Sequence, residues 1–166
     1  MRPPASNPLE LYLDHLRDIY SMDVQLCETM PHLVSLTTNE ELRNLLVRHA
    51  HQNCNQIAVI AAIFERQGES PGDDKCQAMA GLIKGGTAHL EAVKAPPTRD
   101  LMMLAHCLRI EHYEIAASEI TTLLAKRLEL KSEPETLEEL LAEEKEMAAT
   151  LKELEPHLFE IANSHP

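Results

Sequence analysis

The sequence predicts an all-α fold, a four-helix bundle, and three observations support that prediction. Apolar residues recur every three or four positions along four long stretches, which is the spacing of one helix face. Short polar connections separate the stretches, and one connection encloses a shorter helical segment. Aromatic residues make up only 3% of the chain, and a core of Leu, Ile, Ala and Met suits packed helices.

The first two helices are predicted from periodicity and from their end signals. One apolar stripe runs through residues 9–36, and Pro31 should kink that helix because proline lacks an amide donor and crowds the preceding turn. Thr37 or Thr38, followed three residues later by a glutamate, forms a capping-box signal for the second helix. That helix should end at Gln67, before the turn GESPGDD.

The second crossover holds the predicted short helix, within residues 75–94. Its pair of glycines at 85–86 should weaken it, because glycine costs about 1 kcal/mol in a helix interior. Either Thr98 or Asp100 can cap the third long helix, which should run to about Leu128. One short extra helix therefore lies between the second and third long helices.

The fourth long helix completes a single predicted domain. Pro134 suits its first turn, and its apolar stripe continues to about Ala162. The domain should span residues 1–166, with an N-terminal tail of about 1–7 and a C-terminal tail of about 163–166.

Charge and apolar-run length exclude several classes of function. With 15 basic and 27 acidic residues, the net charge of −12 repels nucleic acid and anionic membranes. No apolar run approaches the roughly 20 residues that span a bilayer, and MRPPASNP lacks the apolar region of a secretion signal. We therefore expect a cytoplasmic protein. Its four cysteines, which form no close pair, are expected to be reduced thiols: Cys27, Cys54, Cys76 and Cys107.

Polar residues interrupt every apolar stripe near the middle of its helix. The interruptions are Asp23 on the first helix, Glu111 on the third and Glu144 on the fourth. The second helix is interrupted by a longer polar set, namely His49, Gln52, Asn53 and Gln56. Similar depth would bring these side chains into one layer. Helical bundles use such inward carboxylates and imidazoles to hold two iron or manganese ions, whose positive charge makes the burial tolerable.

Other interpretations of these residues remain open. Acidic residues beside an apolar stripe can be solvated at its rim. Glu114 can pair with Arg109 or another nearby arginine instead of entering the layer. A zinc site combining His49 with Cys54 or Cys107 is a further alternative, although close cysteine pairs are missing.

Four stretches resemble the YciE/YciF family of ferritin-like bacterial stress proteins. LYLDHLRDIYSMDVQLCETMPHLV resembles the family's opening helix, CQAMAGLIKGG its short crossover helix, and LLAEEKEMAATLKEL its last helix. IEHYEIAASEI resembles its most recognisable motif. The resemblance covers nearly the whole chain in order. It implies a ferritin-like four-helix bundle, commonly a homodimer, with a candidate carboxylate dimetal centre and an association with stress responses.

The resemblance also places acids residue by residue. The first-helix acid falls on Asp23, the glutamates of the EHYE motif on Glu111 and Glu114, and the last-helix glutamates on Glu143 and Glu144. The implied candidate metal ligands, together with the polar residues of the second helix, are Asp23, His49, Gln52, Glu111, Glu114 and Glu144.

Other family positions are changed in this chain. The second helix keeps His49, but His51 and Gln52 replace acids. In the short helix, Lys84 and Gly85 replace two glutamates. In the last helix, the residue four positions after Glu144 is Ala148 where the family often has aspartate. The losses leave few ligands able to bridge two ions.

Two hypotheses follow. In the first, the chain is a ferritin-like stress-associated protein whose partly eroded carboxylate site binds one or two iron or manganese ions. Such a site would act as an oxidase or peroxidase if the bound metal reacts with oxygen or peroxide. In the second, it is a non-catalytic homodimeric bundle without metal, acting as a scaffold or protein-binding module. An empty site would pair its carboxylates with the amides of Gln52, Asn53 and Gln56, or let them share protons.

Overall fold

A computed structural model describes residues 4–164 of the chain. Within this range the protein contains five α-helices and no β-strand, so the predicted all-α class is confirmed. The helices are α1 (Pro8–Leu36), α2 (Glu40–Gln67), α3 (Gln77–Ala92), α4 (Pro96–Arg127) and α5 (Glu133–Ser164). The predicted tails fall partly on residues 1–3 and 165–166, which lie outside the described range.

The long helices pack side by side along their apolar faces. α1 packs against α2 and α4, α4 packs extensively against α5, and α2 meets α5 only sparsely. The short helix α3 covers part of α4 and α1. The core between them is built largely from leucine, isoleucine and methionine side chains, with fully buried Tyr12 and Phe64 towards one end.

The turn between α1 and α2 is held differently from the prediction. Asn39 caps α2 by accepting a hydrogen bond from the Leu42 amide, whereas Thr37 closes α1, so the predicted threonine cap is wrong. Thr38 is occupied elsewhere, because its amide and hydroxyl both donate to the buried Asp100 carboxylate, which also accepts from the Asn39 amide. Asp100 therefore ties α4 to the α1–α2 turn.

The predictions for the starts of α4 and α5 are confirmed only for α5. α4 begins at Pro96 without a side-chain cap, so neither Thr98 nor Asp100 opens it. Pro134 lies in the first turn of α5, as predicted, and α5 continues through Pro156. α1 likewise continues through Pro31.

Gly86 lets α3 approach α4 closely. A Cβ atom at this buried position would overlap the ring of His106 on α4. The His106 ring is itself buried, and burial together with the positive charges of Arg109 and His89 lowers its pKa to about 4. The ring is therefore neutral at physiological pH, and the glycine that was expected to weaken α3 instead permits its packing.

A disulfide bond joins Cys27 on α1 to Cys54 on α2. The expectation of four reduced cysteines is therefore wrong for this pair, while Cys76 and Cys107 are free and buried. The two bonded residues are 27 positions apart in sequence, but their Cα atoms lie 5.5 Å apart because the chain reverses between α1 and α2. Among the described residues, none of the helices is long and apolar enough to cross a membrane.

Candidate metal centre

Five ionisable side chains meet in the middle of the long helices. They come from α1, α2, α4 and α5, and each is at most 5% exposed: Asp23, His49, Glu111, Glu114 and Glu144. Four carboxylates in such a buried layer require compensation, because an isolated ionised carboxylate is costly to remove from water.

Helical spacing explains how α4 supplies two of these acids. Glu111 and Glu114 are three residues apart and therefore lie on the same face of the helix. Ser118 extends that buried face by one further turn, while the buried Cys107 and Ile110 continue it as apolar core on the other side. The acids therefore lie on a buried face of α4, next to apolar core residues of the same helix.

His49 lies between the two α4 glutamates. Its Nδ1 atom is 3.1 Å from Glu111 Oε1, and its Nε2 atom is 3.6 Å from Glu114 Oε2. The shorter approach lacks the direction of a hydrogen bond, so Nδ1 has no hydrogen-bond partner. One potential ligand atom from each of the three residues lies within 4.8 Å of the others, so this cluster could hold a metal ion.

Neutral donors hold the remaining carboxylates in position. The Asn53 side-chain amide donates to Glu114 Oε1 at 3.0 Å and, more weakly, to Asp23 Oδ1 at 3.4 Å. The Ser118 hydroxyl donates to Glu144 Oε1 at 2.8 Å. These contacts orient one oxygen of each carboxylate and leave the other oxygen unpaired.

Buried carboxylate oxygens without hydrogen-bond partners are concentrated in this layer. Each of the four acids has at least one buried oxygen without a hydrogen-bond partner among the described residues. These atoms are Asp23 Oδ2, both oxygens of Glu111, Glu114 Oε2 and Glu144 Oε2. Native proteins rarely leave buried acceptors unsatisfied, so the concentration of such atoms in one layer points to shared protons, a water molecule or a cation as their partners.

Burial and mutual repulsion raise the pKa values of three acids. The pKa of Asp23 lies well above its ordinary value because of burial and then the charge of Glu114. Burial and the charges of Glu114 and Glu144 likewise raise the pKa of Glu111. The pKa of Glu144 rises to about 8, chiefly through burial and the Glu114 charge. Without a cation, the cluster therefore retains protons at neutral pH.

A small cavity of about 10 Å³ reaches this layer from the sparse α2–α5 contact. It is lined by His49, Glu111 and Glu144, with the partly buried Gln52 and the exposed Glu143 among its other residues. Gln56, also at the cavity, donates to Glu143 at 3.1 Å. A cavity of this size has room for about one water-sized group.

The structure brings most of the predicted site residues together. Asp23, His49, Glu111 and Glu144 share the layer, and Gln52 lies at its edge; their role as ligands stays a prediction. Glu114 is buried and accepts from Asn53, so its alternative interpretation as a partner of Arg109 is wrong. The alternative zinc site does not form around His49, because Cys54 is in the disulfide and Cys107 lies outside the cluster of His49, Glu111 and Glu114.

Ser118 is a hydrogen-bond partner of Glu144 that the sequence-based predictions do not include. Its position four residues after Glu114 places it on the same face of α4, and this spacing was the available signal.

The fold and the site define an all-helical protein with a buried layer of acids around one histidine. Residues 7–163 match the family described as Domain of unknown function (DUF892), and the chain belongs to that family. The chain is 30% identical to Protein YciF of Escherichia coli strain K12 over 146 residues, covering 87% of this chain and 88% of YciF. The resemblance inferred from the four stretches is thereby confirmed.

Two solved structures have the same fold. The crystal structure of the E. coli stress protein YciF has a TM-score of 0.90 and 28% sequence identity, covering 94% of this chain and 99% of that one. YcfI from Rhodopseudomonas palustris has a TM-score of 0.87 and 27% identity, covering 92% of this chain and 97% of that one.

Proposed function

We propose that this chain is a ferritin-like four-helix bundle that binds one divalent metal ion, iron or manganese, at the buried layer of Asp23, His49, Glu111, Glu114 and Glu144. The observation that carries the proposal is the concentration of buried, unpaired carboxylate oxygens around His49, which has an unpaired ring nitrogen and offers a ligand atom within 4.8 Å of those of Glu111 and Glu114.

Charge supports a cation at this position. Four buried carboxylates can carry four negative charges, and the described residues place no lysine or arginine among the buried polar groups that could compensate them. Asn53 and Ser118 supply hydrogen bonds but no charge. A divalent ion would compensate two carboxylates, and the raised pKa values allow the others to remain protonated.

The ligand types and the available space favour a single ion. A site with one imidazole among carboxylates suits iron or manganese. Thiolate-rich sites, in contrast, select zinc or copper(I). Two ions would need bridging acids, whereas α2 contributes His49 and amides to this layer, and the cavity of about 10 Å³ has room for one group.

The individual residues have separable roles in this proposal. His49, Glu111 and Glu114 form the nucleus of the site, because their potential ligand atoms are already close together. Asn53 positions Glu114 and Asp23 by donating to both from one amide nitrogen, and Ser118 fixes the orientation of Glu144. A bound iron or manganese ion would supply Lewis acidity and one-electron redox chemistry.

Manganese binding tests the proposal directly. Metal-free protein with its disulfide intact should remove free Mn²⁺ from solution, measured as loss of the six-line electron paramagnetic resonance signal, with saturation at about one ion per chain. Glu111→Gln should abolish or strongly weaken binding, because the amide keeps the shape of the side chain but cannot supply a negative ligand.

Glu119→Gln is the matched control for that variant. Glu119 lies on the same helix but is exposed and pairs with Lys145 at 2.7 Å. It should bind Mn²⁺ like the unmodified chain. If the unmodified chain binds no Mn²⁺ or Fe²⁺ while remaining folded, the proposal fails and the metal-free scaffold or protein-binding module becomes the better account.

A homodimer, a stress-related role and a cytoplasmic location belong to the same proposal. The apolar side chains of Ile120 and Leu123 support self-association, because they are exposed and lie close together on α4. Light scattering of the purified protein should give twice the chain mass for a homodimer. Cell fractionation and expression profiling under stress would test the other two points.

A further inference from the structure

We propose that the Cys27–Cys54 bond is a reversible dithiol–disulfide switch that controls how firmly the metal layer is held between α1 and α2. The control of metal affinity rests on the function proposed above, whereas the control of helix mobility does not. Dithiols of the thioredoxin class or low-molecular-weight thiols would be the reductants.

The placement of the disulfide couples it to the site. Cys27 lies one helical turn after Asp23 on α1, and Cys54 directly follows Asn53 on α2. The disulfide and the Asn53–Asp23 hydrogen bond therefore join the same two helices at the same level. The hydrogen bond spans 3.4 Å, which is longer than a typical N–H to oxygen contact, so the covalent bond is the stronger link there.

Solvent exposure makes the bond chemically accessible. Cys54 is exposed and Cys27 is partly buried, whereas the two free cysteines, Cys76 and Cys107, are buried in the core. The exposure of Cys54 therefore favours attack by a thiolate on the folded protein.

The exchange reaction consumes one dithiol. Its first thiolate forms a bond to Cys54 Sγ, while the Cys27–Cys54 bond breaks and Cys27 leaves as a thiolate that takes up a proton. The second thiolate of the reductant then attacks the mixed disulfide and releases Cys54 as a thiolate, which is also protonated. Two electrons pass from the dithiol to the protein, and the reductant becomes a disulfide.

The expected cytoplasmic location favours reversibility over a permanent structural role. Disulfides in that compartment are usually transient, catalytic or redox-sensing, because its thiol systems keep most cysteines reduced. After reduction, packing and the weak Asn53–Asp23 contact would remain to join α1 and α2 at this level. Asp23 would then be held less firmly towards His49 and Glu114.

The first test is thiol chemistry on the folded full-length chain. Incubation with reduced glutathione or a thioredoxin-type dithiol in native buffer should make Cys27 and Cys54 available to an alkylating reagent, read by mass spectrometry, and reoxidation should reverse the reaction. Circular dichroism follows the fold throughout. If these cysteines react only after denaturation, the switch is overturned.

The second test compares the oxidised and reduced chains. Reduction should weaken Mn²⁺ binding by about tenfold or more, the usual effect of disturbing groups that position metal ligands. Amide hydrogen exchange of residues 20–30 and 49–56 in the metal-free protein should also become faster. The double variant Cys27→Ala/Cys54→Ala should behave like the reduced chain and should not respond to reductant.

The two readouts separate failure of the switch from failure of the proposed function. If neither redox form binds Mn²⁺ but reduction accelerates exchange in these segments, the switch stands as control of helix mobility and the metal proposal fails. If exchange and metal binding are both unchanged by reduction, the inference is wrong, whether or not the protein binds metal.

Discussion

Replacing Glu144 with glutamine should remove much of the pH dependence of stability in the metal-free protein. Glutamine has the same shape, its side-chain oxygen can still accept the hydrogen bond from Ser118, and it cannot ionise. The variant therefore isolates the cost of the Glu144 charge, with little change in the packing around it.

The size of this effect follows from the pKa of Glu144. Burial, and next the charge of Glu114, raise that pKa from 4.5 to about 8. At about 1.4 kcal/mol per pH unit, the difference corresponds to a contribution on the order of 5 kcal/mol. Coupling to Asp23 and Glu111 divides this among the acids, so we expect a measured change of a few kcal/mol.

Proton binding determines whether the free energy of unfolding rises or falls with pH. Between pH 4.5 and 8, the native carboxyl group keeps a proton that the unfolded chain has lost. This contribution to stability is fully present below pH 4.5 and is lost as the pH rises through 8. The free energy of unfolding of the unmodified protein should therefore fall across this window, while that of Glu144→Gln should fall less, making the variant the more stable protein at pH 8–9.

Urea unfolding measured by circular dichroism from pH 5 to 9 provides the assay. All samples contain chelator, have the same ionic strength and keep the disulfide intact, so that only the pH and the substitution differ between them. Glu119→Gln, which changes an exposed carboxylate on α4, should follow the unmodified protein closely. Parallel curves for Glu144→Gln and the unmodified protein would refute the assignment of a raised pKa to Glu144.

Three further predictions concern the packing that holds the site. Asp100→Ala removes the acceptor of three hydrogen bonds from the α1–α2 turn and should lower the free energy of unfolding by about 2–3 kcal/mol in urea titrations, with an unchanged value arguing against that role. In thermal melts, Gly86→Ala should destabilise the fold by about 1–3 kcal/mol, because the added Cβ atom would overlap the ring of His106. Gly85→Ala is the control: its Cβ atom meets open space, so it should stabilise α3 by up to about 1 kcal/mol. Equal effects of the two substitutions would contradict the close approach of α3 to α4 at Gly86. Reduction of the disulfide, which closes a sequence separation of 27 residues, should lower the free energy of unfolding by about 3 kcal/mol, and identical urea curves with and without reductant would contradict this.

The fold class and the central acids could be predicted because both depend on helical periodicity. Asp23, Glu111 and Glu144 interrupt apolar stripes at similar depth, and side-by-side packing of long helices brings such positions together. His49 interrupts the stripe of the second helix at the same depth and is predicted to lie in the layer for the same reason. Gln52 was assigned to the site on the same grounds, but it is only partly buried, because a helix turns by about 100° per residue and Asn53 takes the inward position instead.

Contacts between distant segments could not be predicted. The Asp100 contact joins residues about 60 positions apart, and it withdraws Thr38 from the cap that local sequence rules assign to it. The disulfide requires Cys27 and Cys54 to share one level of two helices, which periodicity alone does not determine. From the sequence, Gly86 is expected only to weaken α3. In the structure, the ring of His106 occupies the space that a side chain at this position would fill.

The metal content of the natively purified chain shows whether the buried layer binds iron or manganese during production in the cell. The protein would be produced with iron and manganese supplied, purified without chelator or a metal-affinity tag, and analysed by inductively coupled plasma mass spectrometry beside Glu111→Gln. We expect about one iron or manganese ion per folded chain, and close to none in the variant. Folded, unmodified protein with almost no metal, or equal metal in both proteins, would contradict a metal site at this layer.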